Sequence, residues 1–422
     1  MKICIFGCGY VGLSAAVSFC NMGYSVHCID KNDYRISNIQ NGVLDIYEPD
    51  LSEGVLDNIK QNRLTFSTDY ENDADIYVIA VNTPNNEAGE ASITNVRDVL
   101  AKIVPSITKY SVVLIQSIIP VGSTKALYEE FKDKTTVDFD IVYNPEFLSQ
   151  GSALYDFNHP QRIVIGSKSQ KAIEIVKKLY KPLSSKYIIT DENSAELIKY
   201  ASNSFLAVKI SFINEIANLA SEAGCNIEDI KKGLETDERI GKYFLNPGIG
   251  FGGSSLPKDT CAIVNMASKL KVDLNTIKAA RITNENQKRR FISNIMNFYH
   301  YNITDKVFAI WGLSFKPDTG DLREAPSNTI IDTLIRYGAT VKAYDPKAIN
   351  SKIKQYTSKE DALANSDALI ICTEWDEFKN PDFELISNNL KDKVIFDARN
   401  MYVNHNLSEF NLKYEYIGKS DE

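Results

Sequence analysis

Residues 2–12 read Lys-Ile-Cys-Ile-Phe-Gly-Cys-Gly-Tyr-Val-Gly. A short apolar run, which reads as a buried strand, passes directly into G-x-G-x-x-G. Ala15, Ala16, Val17 and Phe19 then continue as a helix, and Gly23 suits its end. A second apolar run, 25–29, stops at Asp30. Strand, glycine loop, helix, strand and acid in this order define a dinucleotide fingerprint, where the glycine triplet alone would be weak. Gly7 permits the tight turn, Gly9 lets a pyrophosphate approach the backbone, and Gly12 allows helix and strand to pack closely. The backbone N–H groups of the helix start, at Tyr10 and Val11, face the phosphates. Asp30 is expected to bind the adenosine ribose hydroxyls and to repel a 2′-phosphate, which favours NAD over NADP. Arg35 is placed to cover the adenine edge or a phosphate, and Lys31 weakens the preference slightly.

The rest of the chain must extend that opening unit. Runs at 76–81, 112–117, 141–143, 162–166 and 187–190 continue an alternation of strand and helix, which implies a mostly parallel sheet. From about Ser194 to Ala223 one helical segment runs to a stop at Gly224, with further helix near 227–235, 259–270 and 275–300. Alternation restarts with strands at 306–311, 341–344, 367–372 and 394–396, and Pro326 suits the first turn of a helix. Asp73-Ala74-Asp75-Ile76 is faintly echoed by Ser366-Asp367-Ala368-Leu369. The expected fold is α/β, with two Rossmann-like doubly wound parallel-sheet domains joined by a long central helix and a helical middle domain. The expected boundaries are 1–193, 194–302 and 303–422. Two such halves predict two nucleotide-like ligands facing each other across a cleft. The later half lacks the fingerprint; its first strand ends in Trp311-Gly312-Leu313-Ser314-Phe315-Lys316, where a lysine can meet a phosphate as a point charge.

Composition narrows the ligand. The 422 residues carry 47 Lys and Arg against 55 Asp and Glu, a formal charge of −8. That balance argues against nucleic-acid binding, so anionic ligands must be held by local cations and backbone amides. No apolar run reaches the ~18–20 residues of a membrane span, and three glycines break the only stretch that resembles a signal peptide. A cytoplasmic location is therefore expected. Seven cysteines without a C-x-x-C pair argue against a disulfide framework or a structural zinc site, and four scattered histidines give a histidine-centred mechanism no local motif support.

Further segments occur in order: VNTP at 81–84, IPVGST at 119–124, NPEFL at 144–148, KYASNSFLAVKISFINE at 199–215, DERIGKYFLNPGIGFGGSSLPKDT at 237–260 and GLSFKPDTGDLREAPS at 312–327. With the fingerprint, this set resembles the nucleotide-sugar dehydrogenases of the UDP-glucose/GDP-mannose dehydrogenase family over almost the entire chain. The resemblance implies two successive NAD-dependent oxidations of a sugar 6-hydroxyl, through an aldehyde and a cysteine-bound thioester, to a carboxylate. RIGKYFLNPGIGFGG and LYDFNHPQRIVIG are most similar to the branch that turns UDP-glucose into UDP-glucuronate. GDP-mannose oxidation, and a catalytically silent nucleotide-sugar-binding homologue, are the alternatives. UDP-N-acetylmannosamine dehydrogenases usually lack the Lys-Asp pair.

The resemblance also implies roles. Lys199 and Asn203, four apart on one helix, stabilise the oxyanion and assist proton transfer. Asp259 handles the water proton and Glu146 is the general base of hydrolysis. Thr83, Pro84 and Lys258 meet the cofactor. Phe147, Leu148, Tyr243, Gly252, Gly253, Phe315, Lys316 and Arg399 line the substrate, and Arg239 reaches the neighbouring site of a homodimer. No metal is implied.

Three positions depart from the family pattern. Relatives read G-G-x-C-x-x-K-D, and here Ser255 stands at the nucleophile position. A serine hydroxyl is not appreciably ionised at neutral pH, whereas a free thiol has pKa ~8.5. An engineered exchange is the expected origin, and a natural variant is the alternative. Cys261, six positions on, is not expected to substitute. Ile118 replaces a threonine, for which Ser117 or Ser123 are the nearby hydroxyls, and Gln150 follows NPEFL where relatives often carry Glu.

Overall fold

A computed structural model describes residues 1–70, 73–87 and 89–419. The chain divides into two compact units. The first comprises Met1–Ser202 with Cys261–Lys271, and the second Asn203–Thr260 with Val272–Glu422. The helices of the middle region are shared between them.

The first unit is built on eight strands: β1 (Lys2–Phe6), β2 (Ser25–Ile29), β3 (Leu64–Ser67), β4 (Ile76–Ile79), β5 (Ser111–Ile115), β6 (Phe139–Tyr143), β7 (Arg162–Gly166) and β8 (Lys186–Thr190). Their order is β3-β2-β1-β4-β5-β6-β7-β8. β1 to β6 are parallel, and β7 meets β6 antiparallel before pairing in parallel with β8. Strand residues alternate between two apolar layers. Ile3, Ile5, Val112 and Leu114 join one layer, and Cys4, Phe6, Val113 and Ile115 the other. Both faces of β4 and β5 are thus covered, which is why the centre of the sheet reads as apolar runs, whereas β8 is exposed or half-buried. β3 and the reversal at β7 were not among the sequence expectations.

The second unit holds six strands: β9 (Val307–Trp311), β10 (Thr340–Tyr344), β11 (Lys354–Gln355), β12 (Ser366–Ile371), β13 (Leu390–Asp397) and β14 (Lys413–Tyr416). The order β11-β10-β9-β12-β13-β14 is parallel throughout. Phe308, Ile310, Ile370 and Phe396 form its core with Ile213 and Ala217 from the long helix and Phe291 and Ile295 from Asn275–Phe298. The long helix, Glu192–Glu222, has 31 residues. Among the described residues no helix is long and apolar enough to cross a membrane. No cluster of His, Cys, Asp and Glu among them is suited to a metal.

Candidate active site

In open α/β sheets ligands gather beyond the carboxyl ends of the strands. The predicted residues of the first unit lie there: the glycine loop after β1, Asp30 after β2, Thr83 and Pro84 after β4, and Glu146 after β6. Gly7 turns the chain with φ +102°, and any Cβ there would lie 2.5 Å from the Ala80 carbonyl oxygen. A Cβ on Gly12 would fall on the Gly7 carbonyl. A Cβ on Gly9 would meet nothing within 4 Å, so this glycine leaves open space where a pyrophosphate must pass. The helix Tyr10–Asn21 starts there with no side-chain cap and no acid in its first turn, which keeps its positive end available. Asp30 accepts the Cys8 N–H at 3.0 Å and the Asn32 N–H at 3.1 Å, which aims the carboxylate at the loop. These features fit NAD. Thr83 is buried, and the Pro84 carbonyl accepts the Ser92 N–H at 2.9 Å.

Beyond β6 the NPEFL segment is anchored before it reaches Glu146. The Asn144 amide donates to the Val164 carbonyl at 2.8 Å and accepts the Tyr180 hydroxyl at 2.6 Å. Glu146 then turns one oxygen to the Leu148 N–H at 2.7 Å and the other to Lys199 Nζ at 3.1 Å. Lys199 also donates to the Glu146 carbonyl at 2.7 Å. Its side chain is 3% exposed and that of Glu146 is 9% exposed. Breaking such a buried pair from one side costs about 3–5 kcal/mol, because the remaining charge is stranded. Phe147 offers its ring to the Arg162 guanidinium at 3.8 Å and to Lys199 at 5.3 Å. Ile118 is buried, and the Ser117 hydroxyl is spent on the Val81 carbonyl at 2.7 Å, so it does not take over a threonine's part.

In the second unit Asn203 donates to Asp259 at 2.6 Å, and Lys258 Nζ lies 2.7 Å from the other oxygen of that carboxylate. Asp259 is fully buried and Asn203 nearly so. Ser255 immediately precedes the helix Leu256–Lys269, and its carbonyl accepts the Asp259 N–H at 2.8 Å. It therefore occupies the N-cap, with its own side chain exposed. Cys261 belongs to the first unit, where the Asn265 amide approaches its sulfur at 3.5 Å.

The loop leading to Ser255 is held by one helix face that the sequence reading missed. From Asn275–Phe298, Gln287 donates to the Gly248 carbonyl at 3.1 Å. Asn284 accepts the Phe251 N–H at 2.7 Å and donates to the Phe251 carbonyl at 3.1 Å. Arg281 donates to the Pro257 carbonyl at 2.9 Å and to Thr260 Oγ1 at 3.1 Å. Asn214 adds a bond to the Gly248 N–H at 2.8 Å. The signal for this clamp was present as polar residues at core spacing, since Ala280, Asn284, Gln287 and Phe291 share one buried face. Gly252 and Gly253 follow in close approach: a Cβ on the first would strike the Glu324 carbonyl, and one on the second the Phe315 ring at 2.7 Å.

Phe315 and Lys316 follow β9, and Arg399 follows β13, beyond the same edge of the second sheet. Arg399 donates to the Cys372 carbonyl at 2.8 Å and the Phe315 carbonyl at 3.1 Å, and it pairs with Glu374 at 3.2 Å. Asp345 stands after β10 as Asp30 does after β2. It is saturated, however, by the N–H groups of Leu313, Ser314, Lys347 and Ala348 at 2.6–3.0 Å. Asp345 thus acts as a structural clasp between the loops after β9 and β10. Arg239 is 90% exposed and forms a fork with Asp237, and Tyr243 is also exposed.

Comparison with known proteins finds relatives over almost the entire chain. Residues 1–184 match the NAD-binding domain of the UDP-glucose/GDP-mannose dehydrogenase family, 193–286 its central domain, and 309–404 its UDP-binding domain. The UDP-glucose 6-dehydrogenase TuaD of Bacillus subtilis is 38% identical, over 99% of this chain and 93% of its own. A UDP-glucose dehydrogenase structure from Pyrobaculum islandicum superposes with TM-score 0.90 at 30% identity, covering 99% and 98% of the two chains. A UDP-D-ManNAc dehydrogenase structure from Pyrococcus horikoshii does so with TM-score 0.89 at 26% identity, covering 99% of each. NAD is the cofactor, a UDP-sugar is the class of substrate, and the chain belongs to the UDP-glucose/GDP-mannose dehydrogenase family of NAD-dependent oxidoreductases.

Proposed function

We propose that the chain oxidises UDP-glucose to UDP-glucuronate in two successive steps, and that Ser255 stalls it after the first. One observation supports this reading above the others. Lys199 and Asn203, one turn apart on one helix, each hold a carboxylate the chemistry requires, Glu146 and Asp259. Their ammonium and amide donors suit the oxygen charge that develops as the alcohol is oxidised. NAD, when bound, accepts the hydride of each oxidation. Glu146 has its oxygens fixed by Lys199 and the Leu148 N–H, and we assign it the proton of the attacking water in hydrolysis. Asp259, tied to Asn203 and Lys258, takes the proton of the sugar hydroxyl through a bound water.

Position 255 sits at the N-cap of a 14-residue helix. The helix N-terminal field stabilises a thiolate there and so generates a nucleophile for the aldehyde. A serine keeps the cap and loses the nucleophile. The first oxidation needs no covalent partner and survives. Ser255→Cys should raise steady NADH formation by orders of magnitude and yield two NADH per UDP-glucose, with GDP-mannose and UDP-N-acetylmannosamine inactive. Equal rates in both forms would reject the assignment of Ser255. Ser255 itself favours a second reading, a silent nucleotide-sugar-binding protein; sugar binding with no NADH from either form would select it.

A homodimer is part of the proposal. Phe205, Phe212 and Leu219 recur every seven residues on the long helix and are 63%, 45% and 63% exposed. Ile240, Tyr243 and Phe244 add exposed apolar surface beside Arg239. Such a stripe matches a helix seam awaiting a second copy, to whose site Arg239 would reach. Sedimentation as a monomer at micromolar concentration would refute this. We place the protein in the cytoplasm, where its substrate and cofactor classes are made; fractionation tests that.

A further inference from the structure

The end of the dinucleotide site where the adenosine ribose binds carries a charge arrangement that NAD binding alone does not require. Arg35 lies in the first turn of the helix Asp33–Gln40, its N–H held by the Asn32 cap at 3.1 Å. Its guanidinium meets two acids. Nη1 is 3.4 Å from Asp30 Oδ2, a weak contact. Nε and Nη2 lie 2.9 and 2.7 Å from Asp45 Oδ2. Asp45 is also the foremost cause holding the guanidinium above its ordinary pKa. The Nε–Nη2 edge is the fork with which arginine grips a phosphate in two parallel bonds. Here that fork is closed on Asp45. Asp30, Asp45 and Arg35 by themselves carry a net charge of −1.

We propose that Asp45 is a specificity-determining residue for the cofactor, acting by withholding the Arg35 fork from the ribose 2′ position. Exclusion of a 2′-phosphate then has two separable parts. Asp30 repels the phosphate directly, and Asp45 removes the cation that would attract it. Asp30 alone would leave Arg35 five residues away as a ready phosphate ligand, and a dinucleotide site with that pair would discriminate less sharply. Asp45 is 45% exposed on its side chain and Arg35 28%, so their pair contributes little to stability and can be altered without unfolding the domain.

The test is calorimetric titration of the unreacted protein with NAD and with NADP, and with AMP and adenosine 2′,5′-bisphosphate as minimal probes. It needs no turnover and so is unaffected by Ser255. Asp45→Asn should tighten NADP and the bisphosphate about tenfold, by removing one negative charge and opening the fork, while NAD changes less than about twofold. Asp30→Asn combined with Asp45→Asn should bring the two cofactors to within about tenfold of each other. Adding Arg35→Gln should abolish the gain made by Asp45→Asn. An NADP to NAD ratio unmoved by Asp45→Asn, or a gain that survives Arg35→Gln, overturns the inference. The inference rests on NAD as the cofactor, and the NAD titration of the unsubstituted chain tests that separately.

Discussion

Asn284 is the side chain whose removal should be felt most for its size. It closes two hydrogen bonds on one residue, accepting the Phe251 N–H at 2.7 Å and donating to the Phe251 carbonyl at 3.1 Å. Asn284 is 3% exposed and Phe251 7%, so water does not replace either bond freely. Asn284→Ala strands one backbone donor and one acceptor, each worth about 1–3 kcal/mol. The expected loss is about 4 kcal/mol, a large share of the ~5–15 kcal/mol that holds a typical domain. Gln287→Ala strands the buried Gly248 carbonyl and releases the half-buried Asn218 amide that donates to Gln287 Oε1 at 2.8 Å, and should lose less, since Asn218 can turn to water. The assay is selective, because the chain has two tryptophans, Trp311 and Trp375, and both belong to the second unit. Urea denaturation followed by tryptophan emission therefore reports the unit that contains Asn284. With a slope of about 3 kcal/mol per molar urea, the midpoint should fall by roughly 1 M for Asn284→Ala. A fall below about 0.3 M would show that the loop does not depend on this clamp.

Two other perturbations separate folding from binding. Gly9 has extended backbone at φ −92° with open space beyond it, so Gly9→Ala should fold with unchanged thermal stability and lose NAD affinity by at least about tenfold; calorimetry that finds normal NAD binding would refute the path drawn for the pyrophosphate. Glu196 is buried where it accepts the Gly122 and Thr124 N–H groups and the Thr124 hydroxyl, and burial raises its carboxyl above the ordinary 4.5. The folded form then holds a proton that the unfolded chain has released, so this contribution is full below pH 4.5 and is lost as pH rises through the folded value. Glu196→Gln should flatten that decline in thermal unfolding scans; an unchanged pH slope would count against it.

The sequence made the sheets legible where strands were buried on both faces, as at Ile76–Ile79 or over 368–371, because those stretches are apolar without a break. It hid β14, whose Lys-Tyr-Glu-Tyr is exposed or half-buried and carries no apolar run. It hid β11, which is two residues long. The reversal at β7 was invisible for a different reason: side-chain chemistry encodes burial, and strand direction comes from the path of the connection. In the site, the motif residues were found by type and order. Their partners were not, because Lys199 meets Glu146 from 53 positions away and Asn203 meets Asp259 from 56. The pairing of Arg35 with Asp45, ten positions on, was hidden for the same reason.

The long helix sets a rule about chain length that no single contact does. Each added residue turns a helix by about 100° and advances it ~1.5 Å. Lys199 faces Glu146 and Asn203 faces Asp259 from the same rod, so their phase is fixed by the count of three residues between them. Substitution at Tyr200, Ala201 or Ser202 leaves that phase intact. An insertion or deletion of one residue there turns Asn203 by about 100° about the helix axis relative to Lys199. The interval 199–203 is therefore constrained in length by helix geometry, separately from the packing of its side chains, of which Tyr200 is fully buried.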